Sequence, residues 1–512
     1  MRATRLSVLL LSAAALSACS FFKSVPGPSS RYLLDAEVIQ FARHAPSVDL
    51  ETLADQADRT HGSLKDVEVM VAVSGGGARA ASFTLGVLRE LQELGQWVNA
   101  DRASDDTDLQ FNALDEIDHF SVVSGGSWGV AAYLSDRHFS GSTDYRLTDA
   151  AAADIRKRFV NYNDRAGSQL NPFRNKCLNQ HLDEIVTEGG QTLTMGDVLK
   201  ERGHIPALPT LLVNTTILGN QSPFVFEKET LEYYRVDEIT HCDKEGYKAV
   251  DLPRMAVSGP IAISGSVPGW FHSVARTSIC SAPEQGSGQQ DLTKSFFCDK
   301  ALSRVWRNLV LVDGGIYDNY GYQTALEALD SLDEDRRKVL IVIDASADTV
   351  VPFTQADRFN EGKLLRDAGK DAGFSARTTA LNRTLRRHAK ASGVTDIVVL
   401  DFPTASGKTR WVDELGQSYL KDLDALEEAA EKRTDCFKED GIHVKSDGET
   451  ALTYPDCRSN NFYRVGVANK TTYLYDASFG LPREQLGRLV VRLKANCLYK
   501  AIFEGDSAAY CD

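Results

Sequence analysis

A short glycine-rich run in the first third of the chain carries the strongest chemical signal in the sequence. Residues 125–129 read GGSWG, which has the pattern G-x-S-x-G, and they follow an apolar strand candidate and precede a helix candidate. In that setting the pattern is typical of a nucleophile elbow, and it makes Ser127 the candidate nucleophile at a helix N-terminus. Glycine-rich turns between a strand and a helix also bind phosphates, so the motif alone leaves both functions open.

A second glycine run lies between the first strand candidate and the first helix candidate. Gly75, Gly76 and Gly77 come two residues before Arg79, and consecutive glycines leave backbone N–H groups accessible to a ligand. Two such donors aimed at one point form an oxyanion hole. A phosphate-binding loop is the alternative, but the run has neither G-x-x-x-x-G-K-[ST] nor a clear G-x-G-x-x-G followed by an acid about 20 residues later.

The sequence D-G-G at Asp313 supplies a candidate base. A serine nucleophile needs a base, and Asp313 ends the strand candidate 309–312, where glycines let the chain turn away. A Ser–His–acid hydrolase with a nucleophile elbow places its histidine after the acid in the chain. Only His388 and His443 follow Asp313, and neither ends an obvious strand. Asp313 is therefore the better base candidate, in a Ser–Asp dyad. The alternative is a turn aspartate that caps the next segment.

The elements around these motifs alternate between strands and helices. Short apolar runs bounded by turns predict strands that are buried on both faces. Helical spacing is clear at 81–94 and 127–134. The predicted fold class is α/β, a three-layer α/β/α sandwich with a mostly parallel central sheet. The strand candidates are 67–73, 117–123, 210–216, 308–312, 339–344 and 396–401.

One large domain with insertions is expected rather than several separate domains. Residues 61–404 are predicted to form the catalytic domain, with a polar, largely helical cap-like insertion at about 139–205. Residues 405–512 are predicted to be an extension packed on that domain. It would begin with a charged helix at 420–433 and end with an amphipathic helix at 484–503.

Composition narrows the class of protein. The chain has 512 residues, of which 43% are hydrophobic and 25% charged, which excludes wholesale disorder and a coiled coil. The net charge of -14 and the lack of a long basic run argue against nucleic-acid binding. They also argue against electrostatic adhesion to anionic lipid, so that any membrane attachment must come from another feature.

The N-terminus predicts such an attachment. Arg2 and Arg5 precede an apolar run at 6–18, which has the form of a secretory signal and is too short to span a bilayer. The run ends LSAC, which resembles a bacterial lipobox. Cleavage before Cys19 would leave an acylated cysteine, followed by a tether to residue 60, and Ser20 favours the outer membrane of the cell envelope. The alternative is an ordinary signal peptide with a chance cysteine.

The cysteine content agrees with an exported protein. Nine cysteines minus Cys19 leaves eight, an even number that suits disulfides in an oxidising compartment. Their spacing does not predict a zinc site, and no metal or other cofactor is expected. Short loops favour the pairings Cys280–Cys298, Cys436–Cys457 and Cys497–Cys511, which leaves Cys177 to pair with Cys242.

Taken in order, the motifs resemble those of the patatin-like phospholipases, a group that includes cytosolic phospholipase A2 and fungal lysophospholipase domains. The three motifs are G-G-G-x-R, G-x-S-x-G and D-G-G. Residues 264–271 also resemble the S-x-S-x-P-x-x-F stretch of that family. Residues 214–216 and 317–321 resemble its flanking segments, so that the resemblance covers about 66–346.

The resemblance implies a role for each motif. Ser127 would be the nucleophile, Asp313 the base, and residues 75–77 the oxyanion hole. Arg79 would bind the substrate phosphate, and Trp128 beside the serine is a further candidate for substrate binding. The expected activity is release of fatty acids from phospholipid or lysophospholipid esters of a membrane. A lipid acyltransferase, a non-enzymatic lipid-binding lipoprotein and a peptidase are the alternatives.

Overall fold

The computed structural model describes residues 64, 66–98, 112–142, 145–167, 178, 182–199, 208–218, 222–241, 245–266, 273–277, 308–332, 335–345, 387, 389–401, 484, 487–488, 490–492 and 494–505. The helices are α1 (Gly77–Leu91), α2 (Ser124–Ser140), α3 (Asp149–Gly167), α4 (Met195–Val198), α5 (Lys228–Tyr233), α6 (Ser258–Ser264), α7 (Gly315–Asp318), α8 (Tyr322–Asp330) and α9 (Ala495–Tyr499). The strands are β1 (Val67–Val73), β2 (His119–Val123), β3 (Thr187–Glu188), β4 (Gln191–Thr192), β5 (Thr210–Ile217), β6 (Ser222–Val225), β7 (Val236–His241), β8 (Glu245–Lys248), β9 (Ser273–Thr277), β10 (Asn308–Asp313), β11 (Arg337–Asp344) and β12 (Val394–Asp401).

Ten of the described strands form one mixed sheet. Its order is β12-β11-β1-β2-β5-β10-β9-β7-β8, with β6 paired to β5. The five strands from β12 to β5 are parallel, and the strands beyond β5 pair antiparallel. All six strand candidates from the sequence are strands here, and the predicted α/β class is confirmed. The antiparallel strands β6 to β9 were not predicted.

Helices cover both faces of the sheet, which makes the fold three-layered. In β1, Val69, Val71 and Val73 belong to the apolar core shared with α1 and α2, whereas Met70 and Ala72 belong to the core shared with α8. Successive side chains of a strand point to opposite faces, so a strand buried on both sides is apolar at most of its positions. This is why the strand candidates read as continuous apolar runs.

The region predicted as a cap contains helix α3, the β3–β4 hairpin and the short helix α4. Arg158 of α3 donates to Asp136 of α2 at 2.7 Å, and Tyr145 donates to the same carboxylate at 2.7 Å. These bonds attach the insertion to the helix that follows β2. Within the described ranges, every helix is too short or too polar to cross a bilayer.

Several sequence-based predictions fall on residues outside the described ones. These are the N-terminal signal and Cys19, the helix at 420–433, and both His388 and His443. Cys497 is disulfide-bonded, but its predicted partner Cys511 lies outside the described residues, so all four pairings stay predictions. The domain boundaries also stay predictions.

The described residues between 484 and 492 are helical, and this C-terminal helix packs directly on α1. A side chain added at Gly86 would collide with the backbone of Glu484, and one added at Gly487 would collide with the Phe83 carbonyl. Beside this crossing, Arg156 donates two bonds to the fully buried Glu484 carboxylate, at 2.8 and 2.6 Å. Glycine on both helices lets their backbones approach closely enough for this contact.

We expect Gly487→Ala to lower the free energy of unfolding by about 1–3 kcal/mol, because the added methyl group must push the two helices apart. Thermal or denaturant unfolding measures the change. Lys157→Ala, at an exposed position on α3, is the control and should change the same quantity by less than about 0.5 kcal/mol. Equal stability of the two variants would contradict the close helix contact.

Candidate active site

The turn from strand to helix at the centre of the parallel sheet falls at Ser124. Strand β2 ends at Val123 and helix α2 begins at the next residue. Ser124 has a φ of 48°, in the left-handed region that residues with a side chain rarely adopt. A strained serine between a strand and a helix is the geometry of a nucleophile elbow.

Asp313 faces this serine. The Ser124 hydroxyl donates to Oδ2 of Asp313 at 2.9 Å, and the Gly315 amide donates to Oδ1 at 2.8 Å. Strand β10 runs antiparallel to β5 and pairs Asp313 with Thr215, next to the Val123–Asn214 pair of β2 and β5. The last residue of β10 therefore lies at the same level of the sheet as the end of β2.

Burial sets the charge behaviour of Asp313. The residue is only 3% exposed, and desolvation raises the pKa of its carboxyl from the ordinary 3.8 to about 6. The hydrogen bonds from the Gly315 amide and the Ser124 hydroxyl oppose this rise, because both favour the charged form. The carboxylate is therefore ionised at neutral pH, with a basicity well above that of an exposed aspartate.

Ser127 lies one helical turn beyond the elbow, which corrects its sequence-based placement at the turn. Its hydroxyl donates to the backbone carbonyl of Ser124, and the residue is fully buried. The glycines around it serve helix packing, since a side chain at Gly125 would collide with the Gly77 carbonyl and one at Gly129 would meet the Ala81 carbonyl. The two outer glycines of the G-x-S-x-G pattern therefore lie where α2 closely contacts α1.

The glycine loop borders the same turn. The Gly75 amide is already bonded to the Asn319 carbonyl at 2.8 Å, so it is not available to an oxyanion. Gly76 and Gly77 have φ values of 147° and 61° and lead into α1. Among the described residues, no acceptor is found for their amides. The predicted set of three donors is therefore reduced to two candidates.

Arg79 lies beside this loop. Its Nε donates to the Ala345 carbonyl at 2.9 Å, and a side chain at Gly76 would lie 2.8 Å from the guanidinium. Burial lowers the pKa of Arg79 to about 10, and the nearby Asp344 partly offsets that effect. The guanidinium is therefore still charged at neutral pH, next to the candidate oxyanion donors.

Trp128 lies in the apolar core, and its predicted place in substrate binding stays a prediction. It is 4% exposed, its indole N–H donates to the Ile261 carbonyl at 3.3 Å, and its ring packs on Gly265. These contacts join α2 to α6.

Asn214 holds the strands under the site together. Its side-chain amide donates to the Val122 carbonyl at 3.0 Å and to the Ser121 hydroxyl at 2.9 Å. The oxygen Oδ1 of the same side chain accepts a hydrogen bond from the Thr324 hydroxyl of α8 at 2.5 Å. The resemblance drew attention to residues 214–216, but no role was predicted for this asparagine. An amide side chain within the strand candidate 210–216 is the signal that could have identified it.

The described residues contain no group of three or more His, Cys, Asp or Glu side chains that could hold a metal ion. The turn brings a hydroxyl and a buried carboxylate together, and the glycine loop with its two candidate backbone donors borders it. These are the kinds of group that acyl transfer requires.

A family model described as patatin-like phospholipase matches residues 71–326. No curated protein sequence matches the chain. Among solved structures, human GIVD cytosolic phospholipase A2 is similar over 92% of this chain and 67% of its own, with 13% identity and a TM-score of 0.42. The same human enzyme in complex with methyl gamma-linolenyl fluorophosphonate inhibitor and terbium chloride has 12% identity and a TM-score of 0.40, over 92% of this chain and 65% of its own.

Proposed function

The chain belongs to the patatin-like phospholipase family of lipid-ester hydrolases, and from that premise we propose that it releases fatty acids from phospholipid or lysophospholipid esters by means of a Ser124–Asp313 dyad. The observation that carries the proposal is the 2.9 Å hydrogen bond from the Ser124 hydroxyl to Asp313 at the strand-to-helix turn. The sequence pattern favoured Ser127. The position of Ser124 at the turn supports Ser124 as nucleophile instead.

The proposed reaction has two steps. Asp313 accepts the proton of Ser124 while Oγ attacks the ester carbonyl, and the amides of Gly76 and Gly77 stabilise the oxyanion. Collapse of the tetrahedral intermediate breaks the ester bond, gives the acyl-enzyme and returns the proton to the departing alcohol. Water then gives a proton to Asp313 and attacks the acyl carbonyl. As the bond from the acyl carbon to Oγ breaks, the fatty acid leaves and Asp313 returns the proton to Oγ, which restores Ser124.

A carboxylate can act as base here without a histidine because of its surroundings. An exposed aspartate is a weak base at neutral pH, whereas a pKa of about 6 lies near the working range of a general base. The direct hydrogen bond also removes the need for an intermediary between Ser124 and Asp313.

The remaining features of the proposal concern the substrate and its surface. The charged guanidinium of Arg79 beside Gly76 supports a role in holding the substrate phosphate. We further propose that acylation of Cys19 anchors the protein in the cell envelope, at the outer membrane. Enzyme and lipid would then share one surface, which raises the effective concentration of substrate.

Vesicles that contain phospholipid, lysophospholipid and neutral glyceride test the proposal. We expect residues 20–512, produced under oxidising conditions, to release fatty acid from the phosphate-bearing lipids, with Ser124→Ala protein as the blank. Mass spectrometry of the products, with and without an added alcohol, separates hydrolysis from acyl transfer. Folded protein that neither releases nor transfers acyl chains would favour the lipid-binding alternative.

A further inference from the structure

The last residue of helix α6, Ser264, and the two residues after it contact both members of the dyad. The Ser264 carbonyl accepts the Gly314 amide at 3.2 Å, and the Ser266 carbonyl accepts the Asp313 amide at 2.8 Å. These bonds hold the backbone of the candidate base where β10 ends. The same segment therefore has a fixed position relative to the Asp313 carboxylate.

The Ser264 side chain extends this contact to the elbow. Its hydroxyl oxygen accepts the amide of Ser124 at 2.8 Å and donates its own proton to the Asn214 carbonyl at 2.6 Å. Ser264 is fully buried, so no solvent replaces either bond. The first amides of a helix have no acceptor within the helix, and Ser264 supplies one from 140 residues along the chain.

We propose that Ser264 is a positioning residue for ester hydrolysis, which holds the Ser124 backbone so that its hydroxyl stays within hydrogen-bonding reach of Asp313. The inference rests on the proposed function. In a dyad without histidine, the proton passes directly over the 2.9 Å between the two side chains. A small displacement of one group from the other therefore costs rate, because reactive geometry is steeply dependent on distance.

Loss of the Ser264 hydroxyl would remove a contact that holds the strand-to-helix turn at Ser124 in place. The Ser124 amide and the Asn214 carbonyl would both lose a buried partner. The φ of 48° at Ser124 persists only while its surroundings hold it, so the elbow would be free to relax away from Asp313. The defect would then appear in the chemical step rather than in substrate binding.

Steady-state hydrolysis of p-nitrophenyl butyrate tests the inference. We expect Ser264→Ala to lower kcat by about 10- to 100-fold, with KM changed less than about twofold. Its pH–rate midpoint should also move upward, because the Ser124 hydrogen bond that favours ionised Asp313 is weakened. Ser264→Cys, whose thiol is a weaker acceptor of similar size, should give an intermediate kcat.

Ser258→Ala is the matched control. Ser258 begins the same helix and is equally buried, but its hydroxyl donates to Asp183, away from the elbow. The Ser258→Ala variant should lose comparable stability and keep the wild-type kcat and pH midpoint.

A folded Ser264→Ala with wild-type kcat and midpoint, or an equal loss of kcat in Ser258→Ala, overturns the inference. If Ser264→Ala does not fold, the kcat and midpoint of Ser264→Cys decide in the same way. Folded wild type without esterase activity overturns the proposed function itself, and this inference with it.

Discussion

Replacement of Ser124 by alanine is expected to lower ester hydrolysis by at least about 10³-fold, whereas Ser127→Ala should keep kcat within about threefold. The first change removes the hydroxyl that is bonded to Asp313 at the strand-to-helix turn. The second removes only a hydroxyl that donates to a carbonyl inside α2, which costs about 1 kcal/mol of stability. Initial rates on p-nitrophenyl butyrate, normalised to folded protein, measure both effects.

Covalent labelling gives an independent measurement. A fluorophosphonate reacts with an activated serine, and fragmentation of the labelled peptide distinguishes Ser124 from Ser127. We expect the label on Ser124, in wild type and in Ser127→Ala. An inactive, unlabelled Ser127→Ala beside an active Ser124→Ala would restore the assignment that the G-x-S-x-G pattern suggested.

Asp313→Asn is expected to remove activity and to raise stability above pH 6. Activity should fall by about 10³-fold or more at pH 7, because an amide cannot accept the serine proton. In wild type, the rate should rise through about pH 6 as Asp313 ionises, and the activity should be lost below that pH. A rate profile between pH 4.5 and 8 measures this midpoint.

The expected gain in stability follows from the direction of the pKa shift. The carboxyl has a pKa of about 6 in the folded protein and 3.8 in its ordinary state, so the folded chain binds a proton more readily than the unfolded chain. Ionised Asp313 therefore costs up to about 3 kcal/mol, a cost that develops between about pH 4 and pH 6 and persists above. Asparagine carries no charge and avoids it.

Unfolding at pH 8 and at pH 4 tests this expectation, since the difference between wild type and Asp313→Asn should be large at pH 8 and small at pH 4. Asp318→Asn is the matched control. Its buried carboxylate accepts the amides of Tyr320 and Gln323 at 2.9 and 2.8 Å, so the variant should lose stability instead. An Asp313→Asn protein that is less stable than wild type at pH 8 would argue against a buried base with a raised pKa.

The sequence by itself determined the α/β class and most of the parallel sheet. A strand buried on both faces is apolar at most of its positions, so β1, β2, β5 and β11 can be recognised in the sequence as local apolar runs. The glycine loop at 75–77 and the position of Asp313 at a strand end can likewise be recognised from neighbouring residues in the sequence. The antiparallel strands β6 to β9 escaped prediction because they lack such continuous apolar runs.

Only the tertiary structure decided which groups form the site. Glycines at 125 and 129 are needed for the contact of α2 with α1. They flank Ser127 and so complete a G-x-S-x-G pattern around a serine three residues past the turn. The turn itself lies at Ser124, where β2 ends beside Asn214 of β5, and its partners Asp313 and Ser264 come from distant segments. Short-range patterns report local packing needs, but distances between remote side chains are set by strand pairing and helix packing, which no local pattern contains.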